Sequence, residues 1–305
     1  MPSIQSEPEH WLGPTRPSRR ALPARTDIEI PFGAKTLRGW FYEPDEPRPW
    51  PVVVMAHGFS GVKEQRLDAF ADVFAEKGMS VCVFDFPNLG ASGGEPRGDI
   101  DPAEQINAFR TAIEWAGARD GVDSERIGIW GTSYSGGHVL SLVSSSENIK
   151  CAVAQVPFVG PPMDEIPAPL EAMFASERER TSGSPSMVPV VGDGFAALPT
   201  PDAKAWAEAF APLAPSWKNE VTLASVDRLL HYQPAEKIED SSVPLLVVLA
   251  LNDSLIPATM VRSVYERAGG AKRLVEIESG HFDVYLDRFD EAAEPEADWL
   301  AKYLT

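Results

Sequence analysis

Cysteine is scarce. Cys82 and Cys151 are the only two in 305 residues, which excludes a disulfide framework, and no CxxC or clustered Cys/His spacing suggests structural zinc. Each sits in an apolar run, SVCVFDF or CAVAQV, and reads as a small core residue. Long hydrophobic runs are also missing. The longest apolar stretches, such as PLLVVLAL at 244–251, are far too short to span a bilayer. Arg19-Arg20 is followed by no apolar segment, so no export signal is read and a cytoplasmic setting is expected. Positive charge is the third shortage: 27 Lys and Arg stand against 45 Asp and Glu, a formal charge of −18. A surface this acidic repels phosphate backbones and anionic lipid, which argues against nucleic-acid and membrane partners. What is present is ordinary globular composition, 44% hydrophobic and 24% charged, which excludes a disordered chain, a collagen-like fibre and a coiled coil.

Three regions differ in pattern. Residues 1–26 form a Pro- and Arg-rich arm, with Pro2, Pro8, Pro14, Pro17 and Pro23 and four arginines against two glutamates. Such composition makes no core of its own; the arm is either disordered or a strap anchored through Trp11 and Leu12. From residue 27 the segments TDIEIPF and TLRGWFYEP alternate with period 2, as half-buried antiparallel strands do. PVVVMAHG (51–58), MSVCVFDF (79–86), RIGIWG (126–131) and KCAVAQVP (150–157) are continuous apolar runs, the mark of strands covered on both faces. Helical spacing fills the gaps at 64–77, 102–118 and Tyr134–Ser145. This alternation predicts a mostly parallel sheet flanked by helices. It stops at residue 157: residues 157–215 hold 11 of the 28 prolines. Helices are expected near 165–180, 202–210 and 221–231, in an inserted cap spanning 157–235. Thr181–Val191 lacks helical periodicity and reads as a mobile stretch. The core, 27–156 and 236–305, resumes with a strand at 243–253, a helix at 257–268, a strand at 272–281 and a final helix at 287–304.

The strongest local signal is Gly131-Thr132-Ser133-Tyr134-Ser135-Gly136-Gly137 between a buried strand and a helix. A serine on a strand-to-helix corner exposes its hydroxyl at the sheet edge, and the residues two before and two after it must be small. Here they are Gly131 and Ser135, where Gly is usual at the second place. A serine nucleophile needs a base, and the chain has five histidines. His10 lies in the arm, His57 directly follows a strand, His138 is inside the helix that Ser133 opens, and His231 falls in the cap. His281, in Ser279-Gly280-His281-Phe282, follows the last strand at the same sheet edge and is the candidate general base. Asp253, just past a strand end, is the candidate orienting acid, with Asp283 and Glu278 as rivals beside His281. The backbone amides of Tyr134 and Phe59 are the candidate oxyanion donors, Gly58 allowing close backbone approach. Lys63 and Glu64 read as a solvated helix start. Asp85 lacks the GKS or GxGxxG of a phosphate loop and reads as a loop-bracing carboxylate.

The motifs HGF, DFPNLGASGG, GTSYSGG, LND and SGHFDVY, in this order, resemble the α/β-hydrolase superfamily, and within it the dienelactone-hydrolase-like and X-Pro dipeptidyl-peptidase-like branch. The resemblance covers roughly 27–160 and 236–305 and follows the superfamily order Ser133, Asp253, His281. True dienelactone hydrolases use a cysteine nucleophile, which Ser133 replaces here. The resemblance implies an α/β-hydrolase fold; the arm and the cap lie outside it, and no metal or organic cofactor is expected. The expected function is a serine hydrolase acting on a small-molecule acyl substrate, an ester with thioester or lactone as close competitors. Phe158, Met163, Phe174, Phe195, Trp206, Phe210 and Trp217 of the cap are candidate pocket residues. Two other classes stay open: a peptidase of short peptides, with Asp164 or Glu165 binding the free amino terminus, and a non-catalytic binding protein on a hydrolase scaffold. A homodimer is also left open.

Overall fold

The computed structural model describes residues 24–145, 148–163 and 165–305. The anchor residues of the arm, its His10, and Asp164 therefore lie outside the described residues. Eight strands form one sheet: β1 (Ala24–Phe32), β2 (Lys35–Glu43), β3 (Trp50–Ala56), β4 (Ser80–Phe84), β5 (Val122–Thr132), β6 (Cys151–Gln155), β9 (Leu245–Ala250) and β10 (Lys272–Ile277). Their spatial order is β1-β2-β4-β3-β5-β6-β9-β10. β1 and β2 make an antiparallel hairpin, β2 runs antiparallel to β4, and from β4 onward every pair is parallel.

The continuous apolar runs have a direct cause. On β3, Val52 and Val54 point into one core and Val53 and Met55 into the other, because side chains alternate across a strand. The first core is covered by α2 (Pro102–Gly117), α3 (Tyr134–Val143) and α7 (Ala258–Arg267), the second by α1 (Leu67–Glu76) and α8 (Phe289–Leu304). Cys82 and Cys151 are fully buried free thiols, and burial raises both to a pKa of about 12.

Helix starts follow local chemistry. α2 opens where Asp101 accepts the amides of Ala103 and Glu104 at 2.8 and 3.2 Å, with Pro102 in the first helical position. The helix expected over 64–77 starts later, at Leu67. Arg66 sits at φ 72, and Lys63 turns inward to a buried ion pair with Asp85 at 2.7 Å. Lys63 is thus a core cation and not part of a solvated helix start.

Between β6 and β9 the chain forms α4 (Ala168–Arg178), α5 (Pro201–Phe210) and α6 (Leu223–His231), plus a two-residue pair of β7 (Met187–Val188) with β8 (Val221–Thr222). The three helices fall where periodicity placed them. The stretch read as mobile does not behave uniformly: Val188, Val190 and Val191 are buried. Asn219 holds Val191 like a neighbouring strand, accepting its amide and donating to its carbonyl, each at 2.9 Å.

Candidate active site

Ser133 occupies the corner between β5 and α3 with φ 55 and ψ −118. A non-glycine residue there costs about 1–3 kcal/mol and persists only when its surroundings hold it. Here they do. The Ser133 amide donates to the Gln155 carbonyl at 2.8 Å, and its carbonyl accepts the Phe158 amide at 2.8 Å. A side chain at Gly131 would meet the Ser135 carbonyl oxygen at 2.3 Å, so only glycine fits. Ser135, the departure from the usual motif, supplies what glycine could not: its hydroxyl accepts the Thr132 amide at 2.9 Å and donates to the Ala56 carbonyl at 2.7 Å, tying the corner to β3.

The three side chains singled out by chain order meet. His281 Nε2 lies 3.0 Å from Ser133 Oγ, and His281 Nδ1 lies 2.6 Å from Asp253 Oδ2. The His281 and Asp253 side chains are nearly fully buried. Asp253 Oδ1 accepts the amides of Leu255 and Ile256, each at 2.8 Å, which fixes the carboxylate. The rivals are engaged elsewhere: Asp283 accepts the Gly280 amide at 2.7 Å, and Glu278 accepts from the Asn252 side chain at 3.0 Å.

His57 and His138 have structural partners. His57 Nε2 accepts the Phe86 amide at 3.1 Å, so its proton is on Nδ1, which donates to the Gly58 carbonyl at 2.9 Å. Burial lowers its pKa, against the opposing pull of Asp85. The Gly58 carbonyl also accepts the Gly61 amide at 3.1 Å. In a trans peptide the carbonyl and the following N–H point opposite ways, so these bonds turn the Phe59 N–H away from His57. A Cβ at residue 58 would come within 3.1 Å of Ser133 Cβ, so any larger residue there would push on the Ser133 side chain. The Phe59 ring packs edge-on to Tyr134 at 5.4 Å, and the Tyr134 amide is among the first of α3, the donors a helix leaves unpaired. Asp85 braces the same loop: it accepts the Lys63 amide at 2.7 Å and the Ala91 amide at 2.9 Å, besides pairing with the Lys63 ammonium. His138 lies between Gln105 and Tyr232, at 2.9 and 2.8 Å, and burial lowers its pKa to about 3.

Ser133 and His281 open on a cavity of about 60 Å³, walled by the 57–62 loop, Gln65, Leu67, Thr132, Val190, Val191, Leu198, Ala203, Trp206, Ala207, Trp217, Leu255, Phe282 and Tyr285. Of the aromatic candidates, Trp206 and Trp217 are on this wall. Phe210 stands behind Trp206, ring to ring at 4.0 Å, and Phe158 packs on Tyr134 at 5.6 Å and Tyr232 at 6.1 Å. Phe174 is buried in the core, while Met163, Phe195 and Glu165 are exposed. Sequence reasoning missed Gln65, the valine pair 190–191 and Tyr285. The Tyr285 hydroxyl bonds to that of Thr132, which also accepts from the Gln155 side chain at 3.0 Å. This clamps the segment after His281 to the residue before Ser133. Tyr285 closes the SGHFDVY motif, but nothing in that motif gives the tyrosine this role.

A family model described as X-Pro dipeptidyl-peptidase (S15 family) matches residues 36–283. The chain is 28% identical to the quorum-quenching protein AidA of Acinetobacter baumannii over 92% of this chain and 95% of that one. It is 29% identical to the thiohydrolase aneE of Aspergillus aculeatus, covering 73% and 76% respectively. The crystal structure of the α/β hydrolase GrgF from Penicillium superposes with a TM-score of 0.82 at 23% identity, over 92% of this chain and 99% of that one. With eight strands in this order and a match spanning most of its length, the chain belongs to the X-Pro dipeptidyl-peptidase (S15) family and is an α/β-hydrolase enzyme.

Proposed function

We propose that the protein is a serine hydrolase that cleaves a neutral carboxylic ester or thioester, or a lactone, through an acyl-enzyme on Ser133. The observation that carries this is the unbroken hydrogen-bond chain from Ser133 Oγ through His281 to Asp253, opening on the cavity. In this reading His281 Nε2 takes the Ser133 proton as Oγ attacks the acyl carbonyl. Asp253 holds the imidazole with its proton on Nδ1 and stabilises the imidazolium. The amides of Phe59 and Tyr134 receive the oxyanion. His281 then gives the proton to the departing alcohol or thiol, and water attacks the acyl-enzyme by the same route in reverse. Residues 157–235 act as a cap that selects what enters.

An ester or thioester is favoured over a peptide with a free amino terminus because no described residue on the cavity wall is a carboxylate that could pair with an ammonium group. The thiohydrolase relative supports the thioester alternative. The test is a fluorophosphonate probe together with kcat/KM on p-nitrophenyl esters, acyl thioesters and aminoacyl nitroanilides. Labelling at Ser133 and turnover of the first two sets are expected. Ser133→Ala should fold normally, lose labelling and fall toward the roughly million-fold loss known for removal of a serine nucleophile. A variant keeping more than about a tenth of activity, far above such a residue, would remove Ser133 from this role.

A further inference from the structure

The cavity has two unlike walls. Val190, Val191, Leu198, Trp206 and Trp217 from the insertion make one of them apolar. The other is the 57–65 segment, and Gln65 lies on it, 5% exposed. Gln65 Oε1 accepts the Val62 amide at 3.1 Å. Because the Val62 N–H can only donate, that bond decides which end of the amide is oxygen. The Nε2 hydrogens then point away from the loop backbone. They have no acceptor among the described residues, and the residue that carries them lines the cavity. Ser60, 3% exposed, lines the same wall, and its hydroxyl also has no partner among the described residues.

We propose that the cavity receives the acyl half of the substrate, and that this acyl group carries an oxygen acceptor a few bonds beyond the reacting carbonyl. Gln65 is the residue that selects for it, with Ser60 beside it. The inference rests on the reading of Ser133 as nucleophile. If the carbonyl oxygen points to the Phe59 and Tyr134 amides, the acyl chain runs on along the wall that continues to Gln65. A cavity of about 60 Å³ has room for about four to six water-sized groups, which suits a short acyl chain. An all-carbon chain would strip water from the Gln65 donors and leave them unpaired, whereas a keto, ether or hydroxyl oxygen would satisfy one of them.

The experiment compares butanoyl and methoxyacetyl p-nitrophenyl esters, which match in length and differ by an ether oxygen in place of a methylene. It uses wild type, Gln65→Glu and Gln65→Met. Glutamate keeps the acceptor for the Val62 amide and removes the amide donors; methionine keeps the length and removes both. Comparing each variant with wild type cancels the intrinsic reactivity of the esters. The methoxyacetyl-to-butanoyl ratio of kcat/KM should fall on the order of tenfold in both variants, the worth of one buried hydrogen bond. The same ratio is read from the rates at which fluorophosphonates with propyl and methoxymethyl arms label Ser133. Labelling at Ser133 with ratios unchanged in both variants overturns the selection by Gln65 alone. No labelling of wild type by either probe overturns the nucleophile reading and this inference with it.

Discussion

Both oxygens of Asp253 are engaged, and this decides what an asparagine there would do. Its carbonyl oxygen would stay with the amides of Leu255 and Ile256, which can only donate. Its NH₂ would then face His281 Nδ1, which must become an acceptor. The proton would move to Nε2, where it blocks uptake of the Ser133 proton. Asp253→Asn should therefore lower kcat about 10⁴-fold, as a wrong tautomer does in the serine-protease template. Asp283→Asn still accepts the Gly280 amide and should change kcat little; kcat of the two variants on one ester is the measurement, and the reverse ranking would move the acid to Asp283. At this scale the three polar residues could be singled out because each sits just past a strand, although the one before His281, KRLVEI, is half charged. Gln65 and Tyr285 could not be: a glutamine before a helix and a tyrosine in a turn are common anywhere, and only the fold brings them to one cavity.

Among the elements, the insertion is where patterns say least. The helical spacing of α4, α5 and α6 could be read, but spacing does not tell which aromatic faces the cavity. On α5, Ala203, Ala207 and Phe210 are buried, while Trp206 lies flat on Phe282 at 5.3 Å and touches Tyr285 at 4.8 Å. Val190 and Val191 come from an irregular segment whose burial depends on the Asn219 amide, a long-range partner no local pattern encodes. Because Trp206 closes the apolar wall, Trp206→Ala should lengthen the preferred acyl chain. It should raise KM for a butanoyl ester several-fold while lowering kcat less, since the contact is shared by ground and transition states. A chain-length series of kcat and KM checks this; an unchanged profile would leave the insertion as a cover only.

For the whole molecule, strand-helix alternation announced the layered parallel sheet, but not the order of its strands or the charge inside it. Glu296 lies in an acidic run, EAAEPEADW, of the final helix. It is fully buried, accepts the Trp130 indole N–H at 2.9 Å, and its other oxygen has no partner among the described residues. Burial raises its pKa well above the usual carboxylate range, although the Trp130 bond pulls the other way. The folded state therefore holds a proton that the unfolded state releases above its ordinary pKa near 4.5. The contribution of Glu296 to stability falls as pH rises from there toward the folded value, by up to about 1.4 kcal/mol per pH unit. Glu296→Gln carries no such proton and should gain in Tm over wild type increasingly from pH 5 to pH 8; equal gains at both ends would place the charge outside the folding balance. The two thiols bear on the bench as well. Held at a pKa of about 12 inside the sheet, they present almost no thiolate to a disulfide dye. A colorimetric assay of the thiol freed from a thioester can thus be run directly on the native enzyme, and any slow signal without substrate clocks the opening of the sheet itself.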